Sequence, residues 1–293
     1  MHVLTGSPCP HPFVAAACPL CRGAEAPGRT TPPVAAADLA QFLAQLPPGS
    51  RRVLRDGDVL ARPEALELIA AARRGAGEVE VWTSGVALAR PGVAEAVLRA
   101  GATTVAMPLY GDAAESHDWL TGQPGHFQRV IAAFKRVRAL GGKTAVVAPI
   151  LRPTFRALPA LVQKSQALQI SQFHFVALPG PDRAAQPLLP SLEMAAPYLR
   201  QALQMVQAAK RSATVLDVPP CLLLDQASRA ALAQPEECAP TGATAPAREQ
   251  GPPCTACTWR AGCAGLPAAT AQRFGWAGLV ARSDPPPTAK PLK

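Results

Sequence analysis

The sequence predicts an α/β protein, a partial (βα)6-type parallel barrel carrying a small cysteine-rich C-terminal extension. Three observations lead there. Apolar runs rich in Val and Ile alternate with alanine-rich helical stretches as far as Val218, the pattern of parallel strands with helices packed outside. Apolar residues are 48% of the chain and charged residues 17%, which excludes wholesale disorder in spite of 33 prolines and 22 glycines. After Val218 the alternation stops, and five of the eight cysteines follow.

The elements follow in order. Met1–Thr5 reads as a first strand, leading into a loop with Cys9, Cys18 and Cys21. Ala36–Leu46 is expected to be helix, Arg52–Arg55 a short strand, and Pro63–Arg74 a helix with Pro63 in its first turn. Glu78–Thr83 alternates, with Val79, Val81 and Thr83 on one side, as a strand does. Helix is expected over Pro91–Ala100, Phe127–Leu140, Leu158–Leu168 and Leu192–Lys210, the second of these stopped by Gly141-Gly142. Strands are expected over Thr103–Leu109, Lys143–Ile150, Gln172–Leu178 and Thr214–Val218. This divides the chain into a barrel (1–218), a cysteine-rich metal-binding extension (219–283) and a Pro- and Lys-rich tail (284–293) with the composition of disorder.

The net charge is +9, but the basic residues come as singles and pairs (Arg51-Arg52, Arg73-Arg74, Lys210-Arg211) with no interleaved aromatics. A solvated surface is the favoured reading, and nucleic acid is not the expected partner. No signal-like N-terminus and no apolar run of about 18 residues is present, so a cytoplasmic protein without a membrane span is expected. In a reducing compartment, closely spaced cysteines point to metal binding or catalysis before disulfides.

Cys9-x8-Cys18-x2-Cys21 lies directly after the first strand, where parallel βα folds place their sites. Three thiolates from one loop can hold three irons of a [4Fe–4S] cluster and leave the fourth open. A structural zinc loop or unligated thiols fit these cysteines equally well.

The middle of the chain adds a resemblance. Val81-Trp82-Thr83-Ser84-Gly85 resembles the strand-end "TNG" of the radical S-adenosylmethionine (SAM) superfamily. The run from Tyr110 through His117-Asp118, Thr121-Gly122 and Gly125 to Phe127 resembles the strand-four to helix-four segment of its peptide- and cofactor-modifying branch. The Leu140-Gly141-Gly142-Lys143 approach to the next strand is similar too, and the likeness runs from about Val53 to Leu178. Thr83-Ser84-Gly85 also suits a plain strand-to-helix turn, and His117-Asp118 a polar pair at a helix end, with no proton-transfer role assigned to either.

The resemblance implies a cluster on Cys9, Cys18 and Cys21, with SAM binding its open iron. It further implies reductive cleavage of SAM to a 5′-deoxyadenosyl radical that takes hydrogen from a substrate, a peptide being favoured. A ferredoxin or flavodoxin is the implied electron donor. Gly57, Asp58, Thr83 and Ser84 are the implied SAM-binding residues, with Asp58 steadying the amino group.

Two departures stand out. The superfamily usually shows C-x3-C-x2-C, whereas Val14 stands where the first cysteine belongs and Cys9 must serve across eight residues. Loop closure cost grows slowly with length, so this is tolerable. The usual "GGEP" is replaced by Asp56-Gly57-Asp58-Val59, keeping one glycine and a shorter acid.

Cys254-x2-Cys257-x5-Cys263 is a compact three-ligand group, with Cys221 and Cys238 as candidate fourth partners. It resembles tails of the same superfamily that bind an auxiliary [4Fe–4S] cluster, and four thiolates suit zinc as well. Two rivals stand beside a radical SAM enzyme: a catalytically inactive scaffold on the same barrel, and a zinc-binding βα protein.

Overall fold

The structure, a computed structural model, describes residues 2–4, 34–55, 57–178, 186–228, 237–238 and 247–286. Six strands of five to seven residues form its centre: β2 (Arg51–Arg55), β3 (Glu78–Trp82), β4 (Thr104–Pro108), β5 (Lys143–Pro149), β6 (Gln172–Val176) and β7 (Ser212–Leu216). Short strands β1 (His2–Leu4) and β8 (Glu237–Cys238) complete one edge. The order is β7-β6-β5-β4-β3-β2-β1-β8, and every neighbouring pair is parallel. Among the described residues the two ends do not pair, so the sheet is an open, curled barrel.

Helices return the chain between strands: α1 (Ala36–Gln45), α2 (Ala65–Arg73), α3 (Val93–Arg99), α4 (Ala114–Thr121), α5 (His126–Ala139), α6 (Leu158–Gln166) and α7 (Leu192–Ala208). Strand side chains alternate between two cores. Leu54, Val79, Val81, Val105, Val146, Phe173 and Val215 pack outward against the helices. Val53, Trp82, Ala106, Ala145, Val147, Val176 and Leu216 pack inside the curl. Both faces are thus buried, as a sheet covered on each side requires.

The expected elements are present with shifted ends. The helix expected from Pro63 starts at Ala65, because Val59–Ala61 first makes a separate 3-10 turn capped by Asp58. Helix α4 was not expected. It is polar, and its end is set by Gly122 at φ 65, a left-handed conformation that glycine adopts without strain. Buried Arg52 donates to the carbonyls of Leu46, Ala72 and Arg74, satisfying groups that the ends of α1 and α2 leave open.

Beyond β7 come a kinked 3-10 segment (Pro220–Ser228), a two-stranded antiparallel sheet of β9 (Arg248–Glu249) and β10 (Leu266–Pro267), and α8 (Ala268–Phe274). This extension is tied to the barrel by an ion pair of Arg248 with Asp217 and by Arg273 donating to the carbonyl of Gln186. Among the described residues, no helix is long and apolar enough to cross a membrane.

Candidate functional site at the barrel mouth and the cysteine pocket

The C-terminal ends of parallel strands leave backbone groups and short turns exposed to a common mouth, the usual place for a ligand in such folds. After β2, Gly57 takes φ 85, and Asp58 is buried. Asp58 Oδ1 accepts from the N–H of Leu60 at 3.0 Å, and Oδ2 accepts from the N–H of Ser84 at 3.1 Å and from its hydroxyl. The loops after β2 and β3 are therefore locked together by one carboxylate.

The Thr83-Ser84-Gly85 turn is built from its own hydroxyls. Thr83 Oγ1 accepts from the N–H of Gly85 and Ser84 Oγ from that of Val86, both at 3.3 Å. Gly85 sits at φ 87 with Met107 close behind it. Gly57, Asp58, Thr83 and Ser84 thus share one shelf at the mouth.

Below the shelf lies a polar layer that sequence reasoning missed. Glu80, buried inside the curl, is ion-paired to Arg51, accepts from Trp82 Nε1 at 2.6 Å, and lies 2.9 Å from His174 Nε2. The His174 contact is an ion-pair distance without hydrogen-bond alignment, and His174 Nδ1 has no hydrogen-bond partner among the described residues. Arg51 also donates to Gln172 at 2.8 Å, and the Arg55 guanidinium lies 4.6 Å from the Trp82 ring centre. Burial alone pushes the Glu80 carboxyl up; His174, Arg51 and the Trp82 N–H outweigh it and hold the group well below the usual carboxylate range. Charged residues at inward positions of β2 and β3 were the available signal.

His117 and Asp118 are separate in role. Asp118 accepts from the N–H groups of Gly125 at 2.6 Å and Phe127 at 2.7 Å, fixing the start of α5. His117 is fully buried. Its Nδ1 accepts from the N–H of Tyr110, which leaves Nε2 to donate to His126 Nδ1 at 2.7 Å. The pairing with His126 was not visible in sequence.

The rear cysteines come together. Cys221, Cys254, Cys257 and Cys263 line one pocket with Pro219, Pro253 and Leu279. Backbone N–H groups reach three of the sulfurs: Val280 to Cys221, and Arg282 and Gly265 to Cys257 and Cys263 at 3.4 Å each. Such N–H···S contacts stabilise thiolates and are the outer-shell support that metal–sulfur sites use. Burial pushes the Cys221 and Cys263 thiols up, and the neighbouring thiols add to this. The sulfurs border the pocket without meeting at a point; among the described residues no three His, Cys, Asp or Glu side chains are grouped to hold a metal ion. Cys238 lies apart in β8, its backbone paired in register with Val3. Cys9, Cys18, Cys21, Val14 and Asp56 lie outside the described residues, as do 229–236, 239–246 and 287–293.

No family model matches the chain, and no curated protein matches it. Solved structures do. SuiB of Streptococcus suis bound to S-adenosylmethionine superposes with TM-score 0.59 at 12% identity, over 74% of this chain and 50% of that one. SuiB bound to its precursor peptide SuiA gives 0.55 at 13%, over 73% and 48%. Native anSMEcpe with bound AdoMet and the Kp18Cys peptide gives 0.55 at 12%, over 74% and 63%. The chain therefore spans about half the length of SuiB and under two thirds of anSMEcpe. Identity this low establishes fold alone, and the fold is that of radical SAM enzymes.

Proposed function

We propose that this radical SAM-type barrel is an enzyme that cleaves S-adenosylmethionine reductively and takes hydrogen from a peptide substrate. The observation that carries the reading is the curled parallel barrel, similar to those of SuiB and anSMEcpe, each solved with S-adenosylmethionine, with Asp58 and Ser84 joined at its mouth. In this reading Cys9, Cys18 and Cys21 hold a [4Fe–4S] cluster, which when bound supplies one electron to the sulfonium of SAM.

The shelf of Gly57, Asp58, Thr83 and Ser84 receives the methionyl end of SAM. A carboxylate offers about four acceptor sites. Leu60 and Ser84 take three at Asp58, leaving one for an ammonium group. The main work of Asp58 is to hold the two loops at fixed separation.

In this reading the rear thiols hold a second iron–sulfur cluster. Four thiols lining one pocket offer the donor set of a [4Fe–4S] cluster, and four thiolates suit zinc as well. The N–H···S contacts suit either. Cys221 is the fourth ligand in this reading, in place of Cys238. A peptide is favoured as substrate because the folds of SuiB and anSMEcpe, each solved with a peptide, are similar to this one. A ferredoxin or flavodoxin would supply the electron, and the setting would be the cytoplasm.

The test is iron, sulfide and zinc content of anaerobically purified protein, followed by 5′-deoxyadenosine release from SAM under reducing conditions. Loss of about four irons and of all SAM cleavage in Cys9→Ala is expected. Metal that depends only on Cys254 and Cys257, with no SAM cleavage, would leave the inactive-scaffold reading; zinc without sulfide would leave the zinc-protein reading.

A further inference from the structure

The end of the barrel opposite the mouth is polarised in charge. Acids fall in the first turns of helices, with Asp38 in α1, Glu67 in α2, Glu95 in α3, Glu115 in α4 and Glu193 in α7. Bases fall in last turns, with Arg73 in α2, Arg99 in α3 and Arg136 and Arg138 in α5. Each placement complements the helix dipole. Helices α2, α3, α5 and α7 each lead into the next parallel strand and so run back toward its start; their effects add, and the N-terminal end of the barrel collects cations. Lys143, Lys210 and Arg211 join them there, beside the starts of β5 and β7. Glu78, at the start of β3 on this end, is already paired with Lys143 at 3.0 Å.

A pocket of about 170 Å³, open to solvent, lies in this face between α6 and α7. Val162, Ile170, Phe173, Val206 and Ala209 give it apolar walls, and Gln166 and Arg211 stand at its rim. Lys210, at φ 54, ends α7 in a left-handed turn and sets Arg211 beside the opening. Lys210 and Arg211 are exposed and make no side-chain pair with any described residue. Arg138 approaches from the other side, bonded to Gln169 one residue before Ile170. The starts of β5, β6 and β7 are adjacent, so the cations span about two interstrand spacings, on the order of 10 Å. That is wider than one carboxylate and matches several carboxylates along a chain.

We propose that this face docks an acidic segment of a partner protein, which seats one large aliphatic side chain in the pocket between α6 and α7. Charge complementarity selects the segment, and the apolar walls select the anchor. The proposal does not depend on what the barrel mouth or the rear thiols bind.

The probe is a fluorescein-labelled peptide of four acidic residues around one leucine, followed by anisotropy against the full chain at low ionic strength. Saturable binding is expected, weakened at least tenfold by Lys210→Glu/Arg211→Glu and by replacing the leucine with alanine. Ala209→Trp, which fills the pocket from its half-buried rim and leaves every charge in place, is expected to weaken it as much. Thermal melts establish that each variant is folded. Absence of saturable binding overturns the proposal. So does equal binding of the leucine and alanine peptides, which would reduce the face to a diffuse basic surface, and so does displacement of the peptide by equimolar laurate, which would assign the pocket to a small amphiphile.

Discussion

Ser84 gives both its backbone N–H and its hydroxyl to a single oxygen of Asp58, Oδ2, twenty-six residues away and on the loop of the neighbouring strand. Three donors in all converge on this buried carboxylate, counting the N–H of Leu60. Removing the acceptor orphans them together. Asp58→Ala is therefore expected to cost roughly 2–4 kcal/mol in urea unfolding, and Ser84→Ala about 1 kcal/mol, since the Ser84 N–H keeps its partner. An Asp58→Ala loss below about 1 kcal/mol would show that the carboxylate is not a structural lock.

Glu80 predicts a pH dependence. Its carboxyl is held below the ordinary value of 4.5 by His174, Arg51 and Trp82 in spite of burial. A group whose folded pKa is depressed stabilises fully above its unfolded pKa, and loses that contribution as pH falls toward the folded one. At neutral pH Glu80→Gln should be destabilised by about 3–5 kcal/mol, because the Arg51 guanidinium then faces a neutral amide. The gap between wild type and variant should narrow as pH drops below 4.5. Urea midpoints across that range decide it, and a gap that widens in acid would refute the assignment.

That layer marks the limit of what the sequence discloses. Parallel βα alternation is legible because apolar runs and helical periods are local. The valines of Glu78–Thr83 correctly pointed to a strand. What a single strand cannot reveal is that its other face, carrying Glu80 and Trp82, is also covered, because the cover is supplied by strands that curl in from as far as His174. Asp58 stood out as an acid at the strand end, but its bond to Ser84 depends on two loops meeting. Helix α4 escaped notice because Glu115, Ser116, His117 and Asp118 give it little apolar periodicity, and the His117–His126 pair spans two elements. That Cys254, Cys257 and Cys263 come close was legible by spacing; that Cys221 lines the same pocket and Cys238 does not was not, since it turns on how the chain returns after β7.

The rear pocket supplies a ligand test. Cys221→Ser, Cys254→Ser, Cys257→Ser and Cys263→Ser should each lower bound metal, whereas Cys238→Ser should leave the rear complement intact. Burial and neighbouring thiols keep Cys221 and Cys263 protonated to higher pH than usual. Binding must then release protons, so uptake by the stripped protein should increase as pH rises. Metal analysis of the serine series, read against uptake in buffers of increasing pH, checks both. Equal loss in Cys221→Ser and Cys238→Ser would remove the structural basis for the choice.

Gly265 supports the same pocket from its backbone. It holds φ 83 and donates its N–H to Cys263 Sγ, and a Cβ placed there would stand 2.1 Å from the carbonyl oxygen of Glu249, across the β9–β10 pair. A backbone oxygen held in a strand pair cannot yield as a flexible side chain does. Gly265→Ala therefore meets both left-handed strain, about 1–2 kcal/mol, and a clash that parts β9 from β10. The damage should stay in the extension: faster hydrogen exchange over residues 247–286 and reduced metal content, with exchange in β2–β7 unchanged. Gly262→Ala is the control, since a Cβ there meets nothing within 4 Å. If both variants retain metal and exchange alike, Cys263 is held by the rest of the extension and not by the Gly265 turn; if only Gly265→Ala loses metal, that turn is what presents the sulfur.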